Sequence, residues 1–174
     1  IVGYQATFPE VYKVPKISGQ GPGYLSAALT AYAKGERKHP SMRGIASSLT
    51  DQDIADLSAY YEQHGKGTVQ TAPAEPPAPP ADAAALLAKG ACASCHGANL
   101  SKPIAPAYPK IAGQHADYLF AALKSYKTEG KATVGRANGV MAGQVKQFSQ
   151  AELKTLAKYI ASLPGELQTV PQSK

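Results

Sequence analysis

Apolar positions recur with a helical rather than an alternating rhythm along this chain. Over residues 21 to 34 and again over 115 to 128 they fall at i, i+1, i+4, i+5 and i+8, the stripe of an amphipathic helix. Two further starts are marked by Thr50-Asp-Gln-Asp53 and Ser149-Gln-Ala-Glu152, which resemble capping boxes, the second being the better match because it ends in Glu. Another apolar stretch, Ala83 to Ala91, also reads as helical. Alternating runs joined by hairpin turns are missing, so no strand is expected and the fold class is all-α.

The same pattern is written twice. Pro15-Lys-Ile-Ser-Gly-Gln20 matches Pro109-Lys-Ile-Ala-Gly-Gln114, and Tyr24, Leu25, Ala28, Leu29 and Tyr32 match Tyr118, Leu119, Ala122, Leu123 and Tyr126, all at an offset of 94 residues. After a loop five residues longer in the second copy the offset becomes 99, and Met42, Leu57 and Tyr60 match Met141, Leu156 and Tyr159. Between the copies, residues 65 to 82 are rich in Pro and Ala and hold no aromatic residue, the composition of an extended spacer. The expected organisation is a first domain over 1–66, a linker over 67–82 and a second domain over 83–174.

Composition narrows the field. With 174 residues and 44% hydrophobic content the chain suits one ordinary domain or two small ones. No apolar run approaches the roughly 20 residues needed to cross a bilayer. The net charge of +6 is uneven: residues 1 to 66 hold 7 Lys and Arg against 6 Asp and Glu, and residues 82 to 174 hold 11 against 5. The basic residues, Lys124, Lys127, Lys131 and Arg136 among them, are scattered, which argues against nucleic acid as a partner. Such a field suits either solubility or docking onto an acidic partner.

The chemistry is concentrated in Cys92-Ala93-Ser94-Cys95-His96, which holds both cysteines of the chain. Two thiols one helical turn apart can add to the two vinyl groups on one porphyrin edge, with the following imidazole under the iron, so the pattern reads as a c-type haem attachment. A thioredoxin-like pair would need a mixed α/β setting, and a structural zinc site would need further ligands that His39, His64 and His115 do not supply. A carrier's iron is commonly closed by Met, and the only two Met residues, Met42 and Met141, occupy equivalent loop positions in the two copies. His96, Met141 and Met42 are therefore the candidate metal ligands, with His39 a substitute in the first copy. Pro106 or Pro109 could offer a carbonyl to His96 Nδ1. Tyr118, one of ten tyrosines in a chain without Trp, is a further candidate contact of the cofactor.

These residues together resemble the class I cytochromes c, and specifically the two-domain, two-haem cytochrome c-4 family. The likeness runs through Cys92-Ala-Ser-Cys-His-Gly97, the stretch from Tyr108 to Tyr118, the Met141 loop and the closing helix from Ser149 to Leu163, with a second copy before the linker. It implies two tandem cytochrome c-like domains and a one-electron carrier of the periplasm or of the outer face of the cytoplasmic membrane. Its implied partners are redox proteins such as a terminal oxidase or a dehydrogenase, with peripheral membrane association. A haem-dependent redox enzyme subunit is the alternative.

The first copy departs from the family in having no Cys-x-x-Cys-His. Counting back from Pro15 places its expected His near residue 2, where Val2 stands. Either the attachment motif lies before Ile1, so that a separate N-terminal haem peptide accompanies the chain, or the first domain is a haemless docking module. The retained Met42 favours the former.

Overall fold

The computed structural model describes residues 5 and 6, 10 to 64 and 72 to 169. In the first half a short pair β1 (Gln5–Ala6) and β2 (Tyr12–Lys13) precedes helix α1 (Pro22–Lys34), strand β3 (Arg37–Lys38) and helices α2 (Pro40–Ala46) and α3 (Asp51–Gln63). The second half runs through α4 (Ala81–Lys89), α5 (Ala93–His96), α6 (Ala116–Tyr126), β4 (Gly135–Arg136), α7 (Gly139–Lys146) and α8 (Gln150–Ser162). Helices α1, α2 and α3 are the counterparts of α6, α7 and α8, as the repeat requires.

Local chemistry sets these boundaries. Pro22 opens α1, where its missing N–H costs nothing, and Gly35 closes it at φ +75°, a conformation that suits a residue without Cβ. Both capping boxes close. Thr50 Oγ1 accepts from Asp53 N at 3.1 Å while Asp53 Oδ2 accepts from Thr50 N at 2.8 Å. Ser149 and Glu152 repeat this at 3.2 and 2.7 Å. The shorter Asp therefore serves as well as Glu.

Three expectations are corrected. Met42 and Met141 do not stand in loops: each is the third residue of a short helix, α2 or α7, whose capping residue, His39 or Asn138, accepts from the Met N–H. The helix before the cysteines ends at Lys89, because Ala91 takes a left-handed φ of +44°. Strands also exist, although none exceeds two residues: β1 pairs with β2, and β3 pairs antiparallel with β4, Arg37 opposite Arg136. The second pairing joins the halves, so it is created by docking and leaves no alternating pattern in either segment.

The halves meet through a reciprocal contact. The Gln20 side chain donates to Lys110 O at 3.0 Å and accepts from Lys110 N at 2.9 Å, and Gln114 does the same with Lys16, at 2.9 Å in both directions. Both glutamines are buried, and each replaces the water that a backbone N–H and C=O of the other half would otherwise need. Gly23 lies against Pro106, where a Cβ would fall 2.8 Å from the Pro106 oxygen, so the approach requires glycine.

The spacer is not free of the second half. Ala72 is buried, Asn99 Nδ2 donates to Pro73 O at 3.0 Å, Tyr159 Oη donates to Pro77 O at 3.2 Å, and α4 already begins at Ala81, inside the stretch expected to be linker. Residues 65 to 71 lie outside the described residues.

The packed core belongs mainly to the second half, where α6 crosses α8 and α4 lies along α8. One cluster joins Leu100, Ala112, Leu119, Ala157, Ile160 and Leu163; another joins Val145, Phe148, Leu153 and Leu156. The equivalent faces in the first half are more open: Leu57 is 36% exposed where Leu156 is 3%, and Tyr60 is 55% exposed.

Candidate functional site

Helix α4 delivers the chain to the cysteine motif through a tight corner. A Cβ on Gly90 would lie 3.2 Å from Cys92 Sγ and 3.1 Å from the Phe148 ring, so a small residue is needed there. From Cys92 the backbone turns into α5, with His96 N bonded to Cys92 O at 3.1 Å. Both thiols are thereby held within one helical turn. Cys92 packs against the Leu100 and Leu119 cluster, and burial raises the pKa of its thiol before attachment. Cys95 is half-buried, with Ser94 Oγ 3.7 Å from its sulfur.

His96 is 7% exposed, and its Nδ1 lies 2.9 Å from the carbonyl oxygen of Pro109. A carbonyl can only accept, so Nδ1 carries the proton and Nε2 keeps its lone pair free for a metal. Burial lowers the ring's pKa, while the bond to Pro109 opposes this in part. The neutral imidazole needed for ligation is thus the form present at pH 7.

A strained loop holds Pro109 in place. Gly97 follows His96 at φ +82°, and a Cβ there would meet Lys102 O at 2.1 Å. Leu100 is buried with φ +56°, and its carbonyl accepts from both Ile111 N and Ala112 N, which fixes the segment immediately after Pro109. Asn99 Oδ1 accepts from Ser101 N and Lys102 N.

Met141 is half-buried against the cluster of Val145, Phe148, Leu153 and Leu156, against which Leu86, Leu87, Phe120, Leu123 and Tyr126 also pack. Leu87 and Phe120 border the Cys92 cluster as well. Cys92 and Met141 therefore belong to adjoining apolar clusters that share Leu87 and Phe120 as neighbours. The donor set also fits: two thiols for attachment, one free imidazole nitrogen and one thioether.

The remaining sequence candidates lie elsewhere. Pro106 faces Gly21 and Gly23 of the first half, so Pro109 alone of the two prolines makes the His96 contact. Tyr118 sends its hydroxyl into the contact between the halves, 2.7 Å from Arg37 Nη2 and 3.2 Å from Arg136 Nη2. Met42 is half-buried on α2, and His39 Nδ1 is engaged at 3.3 Å by Met42 N. His64 bonds Ser18 Oγ at 2.9 Å and stacks on Tyr60. Arg37 was not singled out in the sequence and Arg136 was named only among the scattered basic residues; the pair's one signal was the 99-residue offset it shares with the methionines.

Paired thiols for thioether bonds and an axial imidazole within five residues answer the needs of one cofactor, and the second half is accordingly a c-type cytochrome domain. The family model for cytochrome c matches residues 80–164. Cytochrome c4 of Azotobacter vinelandii is 32% identical over 166 residues, covering 86% of this chain and 76% of that protein. The structure of Acidithiobacillus ferrooxidans cytochrome c4 superposes with a TM-score of 0.66 at 25% identity, covering 90% of this chain and 94% of that one. A protein of Stutzerimonas stutzeri described as a thiosulfate dehydrogenase electron acceptor is 26% identical over 169 residues, 89% of this chain and 73% of its own.

The chain belongs to the cytochrome c4 family. It carries haem c covalently through Cys92 and Cys95, and it is a haem electron-transfer protein built from two class I cytochrome c domains.

Proposed function

We propose that the iron of the second half is held by His96 and Met141 and passes single electrons between redox proteins, no substrate bond being made or broken on this chain. The observation that carries the reading is the Pro109 contact, which commits His96 Nδ1 and leaves Nε2 for the metal, while Met141 packs against the apolar cluster adjoining that of Cys92. The haem supplies the ferric and ferrous states. The chain's residues orient the imidazole, exclude water and, through thioether ligation and an apolar pocket, favour the ferrous form.

Replacing Met141 with Ala tests this directly. The visible band that reports sulfur-to-iron ligation is expected to vanish, the potential to fall, and carbon monoxide to bind rapidly where it does not bind wild type. An unchanged band would remove Met141 from the iron.

Met42 marks an equivalent site in the first half. It takes the same third position on a short helix with the same kind of cap, and the open face of α3 at Leu57 and Tyr60 corresponds to the face of α8 that α4 covers. Haem stoichiometry decides it: two haems per functional molecule support the equivalence, and one haem makes the first half a docking domain.

The relative described as an electron acceptor of thiosulfate dehydrogenase points to a dehydrogenase as donor, with a terminal oxidase as a fitting acceptor. The compartment that fits is the periplasm, with peripheral membrane association. No helix among the described residues is long and apolar enough to cross a membrane.

A further inference from the structure

Asn99 is where the spacer meets the loop that follows the haem motif. It is 4% exposed, and both ends of its side chain are engaged: Nδ2 donates to Pro73 O of the spacer at 3.0 Å, while Oδ1 accepts from Ser101 N at 3.0 Å and Lys102 N at 3.1 Å. A buried amide committed in this way has one orientation. Turned over, it would set its NH2 against two N–H groups and its oxygen against a carbonyl.

The loop that Asn99 folds is the one that aims Pro109. Lys102 O packs against Gly97, next to His96, where a Cβ would fall 2.1 Å away, and Ile104 N returns to Cys95 O at 3.1 Å. Leu100 O, one residue beyond Asn99, accepts from Ile111 N at 2.8 Å and from Ala112 N at 3.1 Å. Pro109 O, two residues before Ile111, then lies 2.9 Å from His96 Nδ1.

The spacer is seated to brace this loop. Ala72 is buried, Tyr159 Oη donates to Pro77 O at 3.2 Å, and Pro76 and Pro79 line an apolar cleft with Leu87, Ala93, Ala98 and Leu100. Ala93 stands between the two cysteines, and Leu100 belongs to the core against which Cys92 packs, so the prolines back the attachment turn itself. Their fixed φ leaves the segment little entropy to lose on seating. A segment whose only task was to join two domains would need none of these contacts.

We propose that Asn99 is a positioning residue for the second half's iron, and that the spacer, through Pro73 O, is part of the structure that holds the axial imidazole. Release of the spacer frees the Asn99 amide, loosens the loop and weakens the bond from His96 Nδ1 to Pro109 O. That bond makes the ring a more basic ligand, which favours ferric iron, so a seated spacer lowers the potential of the second half and a released one raises it. This rests on His96 ligating the iron.

Proton NMR of the ferrous holoprotein reads the His96 Nδ1 proton directly. Asn99→Asp keeps an acceptor for Ser101 N and Lys102 N but sets an oxygen against Pro73 O. A spacer variant with Pro73→Gly, Ala74→Ser, Pro76→Gly and Pro77→Ser keeps the length and Glu75; it changes only exposed or half-buried residues, so it reads the contact whether or not Asn99→Asp folds. Exchange of the Nδ1 proton with solvent should be about tenfold faster in each, and no faster in the two combined, because both break the same contact. The spacer variant, unchanged in charge, should also raise the ferrous-to-ferric ratio at a fixed applied potential.

A purely structural role would lower the melting temperature and leave exchange and potential as in wild type. Exchange within about twofold of wild type in the spacer variant, an unchanged ferrous-to-ferric ratio, or effects that multiply in the combination would overturn the proposal. A His96 Nδ1 resonance without the ring-current shift of an iron-bound imidazole would instead overturn the ligation on which the proposal rests, so the two fail separately.

Discussion

The Pro109 carbonyl decides which nitrogen of His96 holds the proton, and the residues that aim that carbonyl are as specific as the histidine itself. Gly97 is one of them. Any side chain there would meet Lys102 O and adopt an unfavourable φ, so Gly97→Ala should destabilise the protein by about 2 kcal/mol or more and broaden the haem's ligation spectrum. Ala91 is the converse case. It is exposed and left-handed at φ +44°, so Ala91→Gly should stabilise by about 1 kcal/mol in thermal unfolding while leaving the spectrum unchanged. The haem motif was fully legible in the sequence because five adjacent residues carry it. Which proline served His96 was not, since a carbonyl's direction follows from the fold of a whole loop. The Arg37 and Arg136 pair was legible only through the repeat offset, because an isolated arginine has no signature of burial.

At the scale of elements, the long helices follow from apolar periodicity reinforced by caps, which is why α1, α3, α6 and α8 fall close to their expected spans. The short helices α2 and α7 have only seven and eight residues, too few to show a helical apolar stripe, so the sequence presented them as loops even though it placed both methionines at equivalent positions of the repeat. The caps can be tested individually. Ser149→Ala removes the bond to Glu152 N and should cost about 1 kcal/mol in denaturant unfolding. Glu152 adds a pH dependence. The Ser149 N–H and the Lys89 ammonium hold its carboxyl down to about 2, below its unfolded value, so its contribution is fully present above the ordinary carboxylate range and is lost as pH falls towards 2. Glu152→Gln should remove that part of the acid sensitivity, seen by comparing melting curves at pH 5 and pH 2.

For the whole molecule, duplication explains both the symmetry and its failure. Gln20 and Gln114 exchange equivalent bonds across the contact, and either substitution to Ala leaves a backbone N–H and C=O of the opposite half without a partner. Gln20→Ala should cost about 2 kcal/mol and speed hydrogen exchange at the Lys110 amide, while Gln114→Ala should do so at Lys16; exchange unchanged at both amides would mean that the glutamines do not hold the halves together. The cross-half strand pair and the packing of the spacer on the second half escaped the sequence because both arise only once the halves have docked.

The most direct measurement of the central claim is a visible-region redox titration of the purified holoprotein. A haem on Cys92 and Cys95 with His96 and Met141 as its axial ligands should titrate reversibly as a one-electron couple, with the sulfur-to-iron band present in the ferric form and no rapid binding of carbon monoxide in the ferrous form. Absence of that band, with carbon monoxide bound at once, would contradict a carrier closed by Met141 and indicate an open, reactive iron.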